Sequence, residues 1–276
     1  MSRIFEALKK STTDSGAAAV PAISPEVGDP IETPEFESGS TPSIELDGCA
    51  PLTFHPTAQS RLISLTDERS IGAEKLRVLA TKLRHLRNKK NFSTVLITSS
   101  MKGEGKSLMA SNLALTFSKQ VRHQTLIVDC DFRCPTLHKL FGVDAGPGIG
   151  DWWSEDLPLN RIIRKHPDLP LWFLSAGQIP DQPLEILQSQ RFADLITKVG
   201  GLFRWVVIDS PPLTPMADSS VLGHLAEGIV LVVRQAVTST KALTAAMDAV
   251  ERKKLLGVVV NESTTSERRY YDQYYK

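Results

Sequence analysis

TVLITSSMKGEGKS, residues 94–107, holds a strand, a turn and the first residues of a helix in one uninterrupted stretch. Residues 94–98 are all β-branched or aliphatic and stop at a serine pair, which predicts a short buried parallel strand. Gly103, Glu104, Gly105, Lys106 and Ser107 follow, and residues 108–119 continue as a helix with few breakers. Strand, glycine loop, helix is the setting in which backbone N–H groups and a helix dipole converge on an anion. Lys106 then reaches the β- and γ-phosphates of a nucleotide, and the Ser107 hydroxyl holds Mg²⁺. The match to G-x-x-x-x-G-K-[ST] lacks its first glycine, because Ser100 stands there. An ordinary glycine turn would explain the glycines but not Lys106 and Ser107.

The 276 residues suffice for one α/β domain with tails. Net charge is +1, which argues neither for nor against a nucleic-acid partner. That total conceals a division: residues 11–60 carry eight Asp/Glu and no Lys or Arg, so the remainder is basic. The same stretch holds seven of the 17 prolines among sparse hydrophobics. Residues 11–65 are therefore expected to form a disordered, acidic, proline-rich linker. Ahead of it, Ile4, Phe5 and Leu8 share one helical face while Arg3, Lys9 and Lys10 lie elsewhere. Residues 1–10 read as a short amphipathic helix that docks on a partner or membrane surface, or else frays, being too short to hold alone. Cys49, Cys130 and Cys134 form no disulfide framework, as in a reducing cytoplasm. No apolar run is long enough to span a bilayer, residues 1–10 lack a signal-peptide core, and a cytoplasmic location is expected.

Residues 70–90 predict a helix with Ser70 as its cap and Ile71, Leu76, Leu79, Leu83 and Leu86 as its apolar stripe. Its charged face is a solvated surface or a subunit contact. Residues 125–131, TLIVDCD, read as a second buried strand ending in Asp129 and Asp131, where open α/β sheets bind ligands. Burying two carboxylates is costly without a cation, and a helix cap accounts for only one of them. His138 lacks a second ligand at metal spacing and reads as structural. Residues 171–175 form a third strand and residues 183–199 a helix. At 204–212, RWVVIDSPP, four apolar residues end in Asp209 and a rigid proline pair, a Walker B arrangement in which Asp209 orients Mg²⁺. Asp218, beyond the prolines, either reaches the same crevice or caps the next helix, and the cap is the favoured reading. Residues 228–234 and 255–260 are further strands, with a helix at 241–253 between them, and Asn261 offers a weak base or ribose contact. Alternating strands and helices give an α/β fold, a mostly parallel sheet with helices on both faces. All four tyrosines, Tyr270, Tyr271, Tyr274 and Tyr275, fall in a polar C-terminal stretch with no burying periodicity, and beside an ATP site they look like phosphoryl acceptors.

With these residues in place the chain resembles the bacterial tyrosine kinases, P-loop autokinases of capsule and exopolysaccharide synthesis. Residues 99–107 (SSMKGEGKS), 126–133 (LIVDCDFR) and 205–212 (WVVIDSPP) match the three nucleotide motifs in order, and the tyrosine cluster matches at the end. The resemblance covers about residues 70–276. It implies the P-loop architecture of cell-division-site ATPases of the MinD type, with a kinase domain at 66–262 and a flexible acceptor tail at 263–276. It implies Mg-ATP bound through Gly103, Glu104, Gly105, Lys106, Ser107 and Arg133, with Ser107, Asp129, Asp131 and Asp209 at the metal. Lys106, Asp129, Asp131 and Asp209 are the implied catalytic set, and which of Asp129 and Asp131 acts as base stays open. It also implies a homo-oligomeric ring before phosphorylation, a separate transmembrane activator of the chain-length-determinant type that recruits the chain to the membrane, and no nucleic acid. Two departures stand out. The family's contact helix reads E-x-x-R-x-x-R, whereas here Glu74 and Arg77 are followed by Ala80, which leaves Arg84 as a substitute. Met101 occupies the position of the signature lysine of the partitioning ATPases, with Lys102 one place late, so a MinD- or ParA-like switch, or an ATP-binding scaffold without transfer, is the competing reading.

Overall fold

The computed structural model describes Leu46 and residues 48–120, 123–179, 181–213 and 217–263. The expected N-terminal helix at 1–10 and the tyrosine tail lie outside the described residues.

Among the described residues there are eight strands: β1 (Ala50–Pro51), β2 (Thr94–Ser99), β3 (Thr125–Asp129), β4 (Ile163–Lys165), β5 (Leu171–Leu174), β6 (Trp205–Asp209), β7 (Gly228–Arg234) and β8 (Leu255–Asn261). They join in one sheet in the order β1-β4-β5-β3-β6-β2-β7-β8. Every pairing is parallel except β4 with β5. Strands β2, β3, β5 and β6 are buried along their whole length, as a sheet covered on both faces requires.

Alternate side chains sort the core into two layers. On one face Val95, Ile97, Ile127, Phe173, Val207 and Val230 join a cluster with Ala80 and Leu83 of one helix and Ala110, Leu113, Ala114 and Phe117 of another. These helices are α2 (Ile71–Lys90) and α3 (Lys106–Gln120), preceded by a single turn, α1 (Ile63–Thr66). Phe117 stacks on Trp205 with ring centroids 4.0 Å apart. Leu96, Leu126, Val128, Val206 and Ile208 fill the opposite layer. The helices that remain are α4 (Leu137–Phe141), α5 (Ile149–Glu155), α6 (Leu159–Ile162), α7 (Pro183–Gln188), α8 (Gln190–Leu202), α9 (Ala217–Leu225) and α10 (Thr240–Asp248).

Ser70 caps α2 as expected, its hydroxyl accepting from the Ala73 amide at 3.2 Å. Three boundaries differ from the sequence reading. The helix expected at 183–199 is two, because Ser189 leaves helical geometry and its hydroxyl caps α8 by accepting from the Phe192 amide. The helix expected to reach residue 253 stops at Asp248. Part of the expected linker is folded: β1 pairs with β4, and Leu52, Phe54 and Leu62 are buried. Those three apolar residues are too few to produce a periodic signal, and β4 is only three residues long. The strand character of β1 comes from the partner edge, not from propensity.

Ala80, where the contact motif would place an arginine, is only 2% exposed and packs into the core cluster. Arg77, one turn earlier, is engaged within its own chain by Glu74 (Nε to Oε2, 2.8 Å) and by the Glu68 carbonyl (2.9 Å). Restoring the motif with Ala80→Arg is expected to force a charged side chain into a packed apolar site and lower stability by about 3 kcal/mol or more. Urea unfolding of the two proteins checks this. An unchanged midpoint with a gain in oligomer size would reverse it.

Candidate active site

Strand register builds the site. Ile97 of β2 and Asp129 of β3 both lie opposite Asp209 of the strand between them, β6. The C-terminal ends of three adjacent parallel strands thus meet at one crevice, with the glycine loop leaving from β2. The crevice holds about 1020 Å³ and is lined by Met101, Lys102, Gly103, Gly105, Lys106 and Ser107 on one side. Asp131, Arg133, Pro212 and Ala242 belong to its other walls.

Gly103 and Gly105 adopt left-handed backbone angles, φ +86° and +94°. At Gly105 a β-carbon would also lie 2.2 Å from the Asn261 side-chain nitrogen. That nitrogen donates to the Glu104 carbonyl at 2.9 Å, so the end of β8 fastens the loop from below. Glu104 itself is 1% exposed. Its carboxylate accepts from the Met101 amide at 2.9 Å and from the Thr238 hydroxyl. Its side chain therefore shapes the loop and does not face the cleft, which leaves its backbone amide as the group it can offer a nucleotide. Asn261 likewise serves the loop's backbone. Neither role is visible in the sequence beyond Asn261 standing at a strand's end, because both partners are distant in the chain.

Lys106 is the hub of the site. Its Nζ lies 2.6 Å from Asp131 Oδ2, 3.8 Å from Asp209 Oδ1 and 3.1 Å from the Ser107 hydroxyl. Burial works against its ammonium, yet the charges of Asp209 and Asp131 outweigh that and hold its pKa above the ordinary value. A buried pair of this kind stabilises little, because desolvation nearly offsets the attraction.

The two aspartates of the D-x-D element are not equivalent. Asp129 is buried, and its two oxygens accept from the Asp131 and Leu137 amides at 3.2 and 3.1 Å. It therefore holds the start of α4, the cap that accounts for one carboxylate of the two. Burial, with the charge of Asp209 beside it, pushes its pKa up to about 8. Asp131 lines the cleft, bound to Lys106 and to the Cys134 amide. Arg133 also lines the cleft, and its guanidinium grips Asp218 (Nε to Oδ2 2.7 Å, Nη2 to Oδ1 3.1 Å). Asp218 thus answers an arginine 85 residues away; the cap expected of its side chain gives way to this ion pair. Cys130 is fully buried with its thiol pushed well up by that burial, which removes it as a nucleophile.

The fit to a divalent cation rests on Asp209. It is fully buried, and neither carboxylate oxygen meets a donor in full hydrogen-bonding geometry. Burial raises its pKa to about 6, against the charge of Lys106 and a partial pull from the Ser107 hydroxyl. Two unsatisfied buried oxygens beside a serine hydroxyl suit a hard cation. Among the described residues no three His, Cys, Asp or Glu side chains close a metal cage. Mg²⁺ does not need one, since it takes one or two protein oxygens and fills the rest with phosphate and water.

No family model matches the chain. It is 30% identical over 218 residues to tyrosine-protein kinase YwqD of Bacillus subtilis, covering 78% of this chain and 92% of the relative. It is 27% identical over 209 residues to the putative tyrosine-protein kinase CapB of Staphylococcus aureus, covering 75% and 91%. Of tyrosine-protein kinase wzc of Salmonella typhimurium, 26% identical over 219 residues, it spans only 30% of the length. Among solved structures the chimerical protein CapA2B2 superposes with TM-score 0.70 at 28% identity, over 81% of this chain and 98% of that one. The cell-division ATPase MinD of Pyrococcus furiosus, at 19% identity and TM-score 0.52 over 64% of this chain and 74% of that one, shares the fold.

The carboxylate cluster gives the nucleotide-free protein a characteristic pH response. Asp129 and Asp209 have native pKa values raised from 3.8 to about 8 and about 6, so the native state holds more protons than the unfolded chain in between. Stability should therefore be highest near pH 4 as far as these groups are concerned, and fall as pH rises toward 8. Asp209→Asn should flatten that fall. Melting temperatures of both proteins from pH 5 to 8 check it, and parallel curves would contradict it.

Proposed function

The chain belongs to the bacterial tyrosine-protein kinases and is an enzyme, and from that premise we propose that it phosphorylates its own tyrosines Tyr270, Tyr271, Tyr274 and Tyr275 with Mg-ATP. One observation carries the reading: a cleft-lining lysine held between Asp131 and an otherwise unsatisfied Asp209, at the start of the glycine-loop helix. Lys106 and the loop amides take the phosphates, with Gly103 and Gly105 allowing the close backbone approach. Ser107 and Asp209 hold Mg²⁺, which when bound neutralises charge on the phosphates.

Asp131 is the general base in this proposal and Asp129 a positioning group. Asp131 lines the cleft and is released when Lys106 turns to the phosphates, whereas both oxygens of Asp129 are occupied by backbone amides. The tyrosine oxygen bonds to the γ-phosphorus as the bond to the β,γ-bridging oxygen breaks. The tyrosine proton passes to Asp131, and ADP leaves. Positioning and charge neutralisation supply most of the acceleration in such transfers.

Each phosphotyrosine adds about −1.5 to −2 charges, so a filled tail repels itself and acidic surfaces. A homo-oligomer that loosens on phosphorylation follows, as does a regulatory role in capsule or exopolysaccharide synthesis. Among the described residues no helix is long and apolar enough to cross a membrane. A separate membrane-spanning activator would then recruit this chain to the membrane's inner face. The switch reading has only a shared fold behind it at 19% identity.

The test is phosphotyrosine mapping by mass spectrometry after incubating the purified chain with Mg-ATP, with and without the cytoplasmic peptide of a candidate activator. Phosphate is expected on the tail and lost by about a thousandfold in Lys106→Ala, as for removal of a preorganised phosphate contact. Asp131→Asn should lose far more rate than Asp129→Asn. ATP hydrolysis without tail label under every condition would overturn the autokinase.

A further inference from the structure

We propose that Asp218, a residue outside the three nucleotide motifs, is a positioning residue for phosphoryl transfer that acts through Arg133. The inference rests on the kinase reading and deepens it. Asp218 sits in the first turn of α9 with its side chain 1% exposed, while its partner Arg133 is 46% exposed at the cleft. The two form a bidentate pair that uses Nε and one Nη2 hydrogen of the guanidinium. A bidentate grip fixes the plane of the guanidinium as well as its place. Nη1 has no protein partner among the described residues, and an arginine keeps three further N–H donors after such a pairing.

The surroundings of Asp218 show why this arginine is held still. Next to it, Ser219 donates to the carbonyls of Pro211 and Pro212 at 2.6 and 3.1 Å, the proline pair that follows Asp209. Thr98 at the end of β2 donates to the same Pro211 carbonyl at 2.9 Å. The first turn of α9 is therefore fastened to the metal-side turn by one residue and to the 131–136 loop by the next. When Lys106 leaves Asp131, the loop loses its link to the glycine loop but keeps its link to α9. Arg133 stays aimed into the cleft, where charge develops on the transferring phosphoryl group.

A surface ion pair half open to water would contribute little to stability. A buried carboxylate needs a partner, and Arg133 supplies it while keeping its other N–H groups at the cleft. The pair has a functional geometry instead: an inner anion that locks, and an outer cation that is presented.

The experiment compares wild type, Asp218→Asn, Arg133→Lys and the double variant. Steady-state transfer to the tail, or to a tyrosine peptide, should show kcat lowered about tenfold or more in each single variant with KM for ATP little changed, the signature of an interaction made in the transition state. The double variant should fall no further, because the two residues act as one unit. A second readout does not need turnover. Fluorescent ADP should bind wild type more tightly when aluminium fluoride is added as a mimic of the transferring group; each variant should lose that tightening at least tenfold, and Asp218→Asn should still bind ADP alone as wild type does. Full tightening and full kcat in Asp218→Asn, with only a lower melting temperature, would make the pair structural and overturn the proposal. Loss in Arg133→Lys but not in Asp218→Asn would overturn it as well, since Arg133 would then act unaided. Were wild type to transfer nothing yet tighten on ADP with fluoride, the kinase reading would fail while the Asp218–Arg133 unit still stood or fell on the second readout.

Discussion

Carboxylates crowded at the ends of adjacent parallel strands are the constraint on which the rest of this structure depends. Register sets Asp129 directly beside Asp209, and Asp131 is two residues further on. For Asp129 and Asp209, burial and the neighbouring carboxylates favour protonation, and the buried ammonium of Lys106 opposes it at Asp209. The site is held in a state of electrostatic debt toward a cation, which is the physical basis for the proposed binding of magnesium with a nucleotide. A fold that buried these groups against apolar side chains alone would shift their pKa values and neutralise them.

The division of labour among the three carboxylates follows from what each touches. Asp129 is saturated by backbone amides and fixes the start of α4. Asp131 faces the cleft and is bound to the lysine that must leave it. Asp209 is fully buried, with neither oxygen in a full hydrogen bond. The support, base and metal roles proposed for these identical side chains follow from burial and hydrogen bonding, and not from any difference in their intrinsic chemistry.

The glycine loop depends on groups far from it in sequence. Asn261 at the end of β8 and Thr238 after β7 hold Glu104, so the loop's shape is dictated by the edge of the sheet opposite β1. The first turn of α9 holds the proline pair after Asp209 and the guanidinium of Arg133 together. In each case a loop that must stay rigid around a polyanion is braced by a side chain arriving from a different strand or helix. Rigid scaffolds that position mobile chemistry are a general feature of binding loops.

The sequence by itself determined the strand–loop–helix at 94–119, the buried strands ending in Asp129 and Asp209, the α/β class and the helix at 71–90 with its serine cap. Those signals are local: runs of β-branched residues, glycines with a Lys-Ser pair, and a 3.6-residue apolar stripe. Tertiary structure alone decided the antiparallel β4, the pairing of β1 at the sheet's edge, the burial of Ala80, and the separate tasks of Asp129 and Asp131. It also turned Glu104 inward and gave Asp218 to Arg133. Each of these depends on which residues meet across the fold, and a contact between positions 133 and 218 leaves no periodicity in the chain between them.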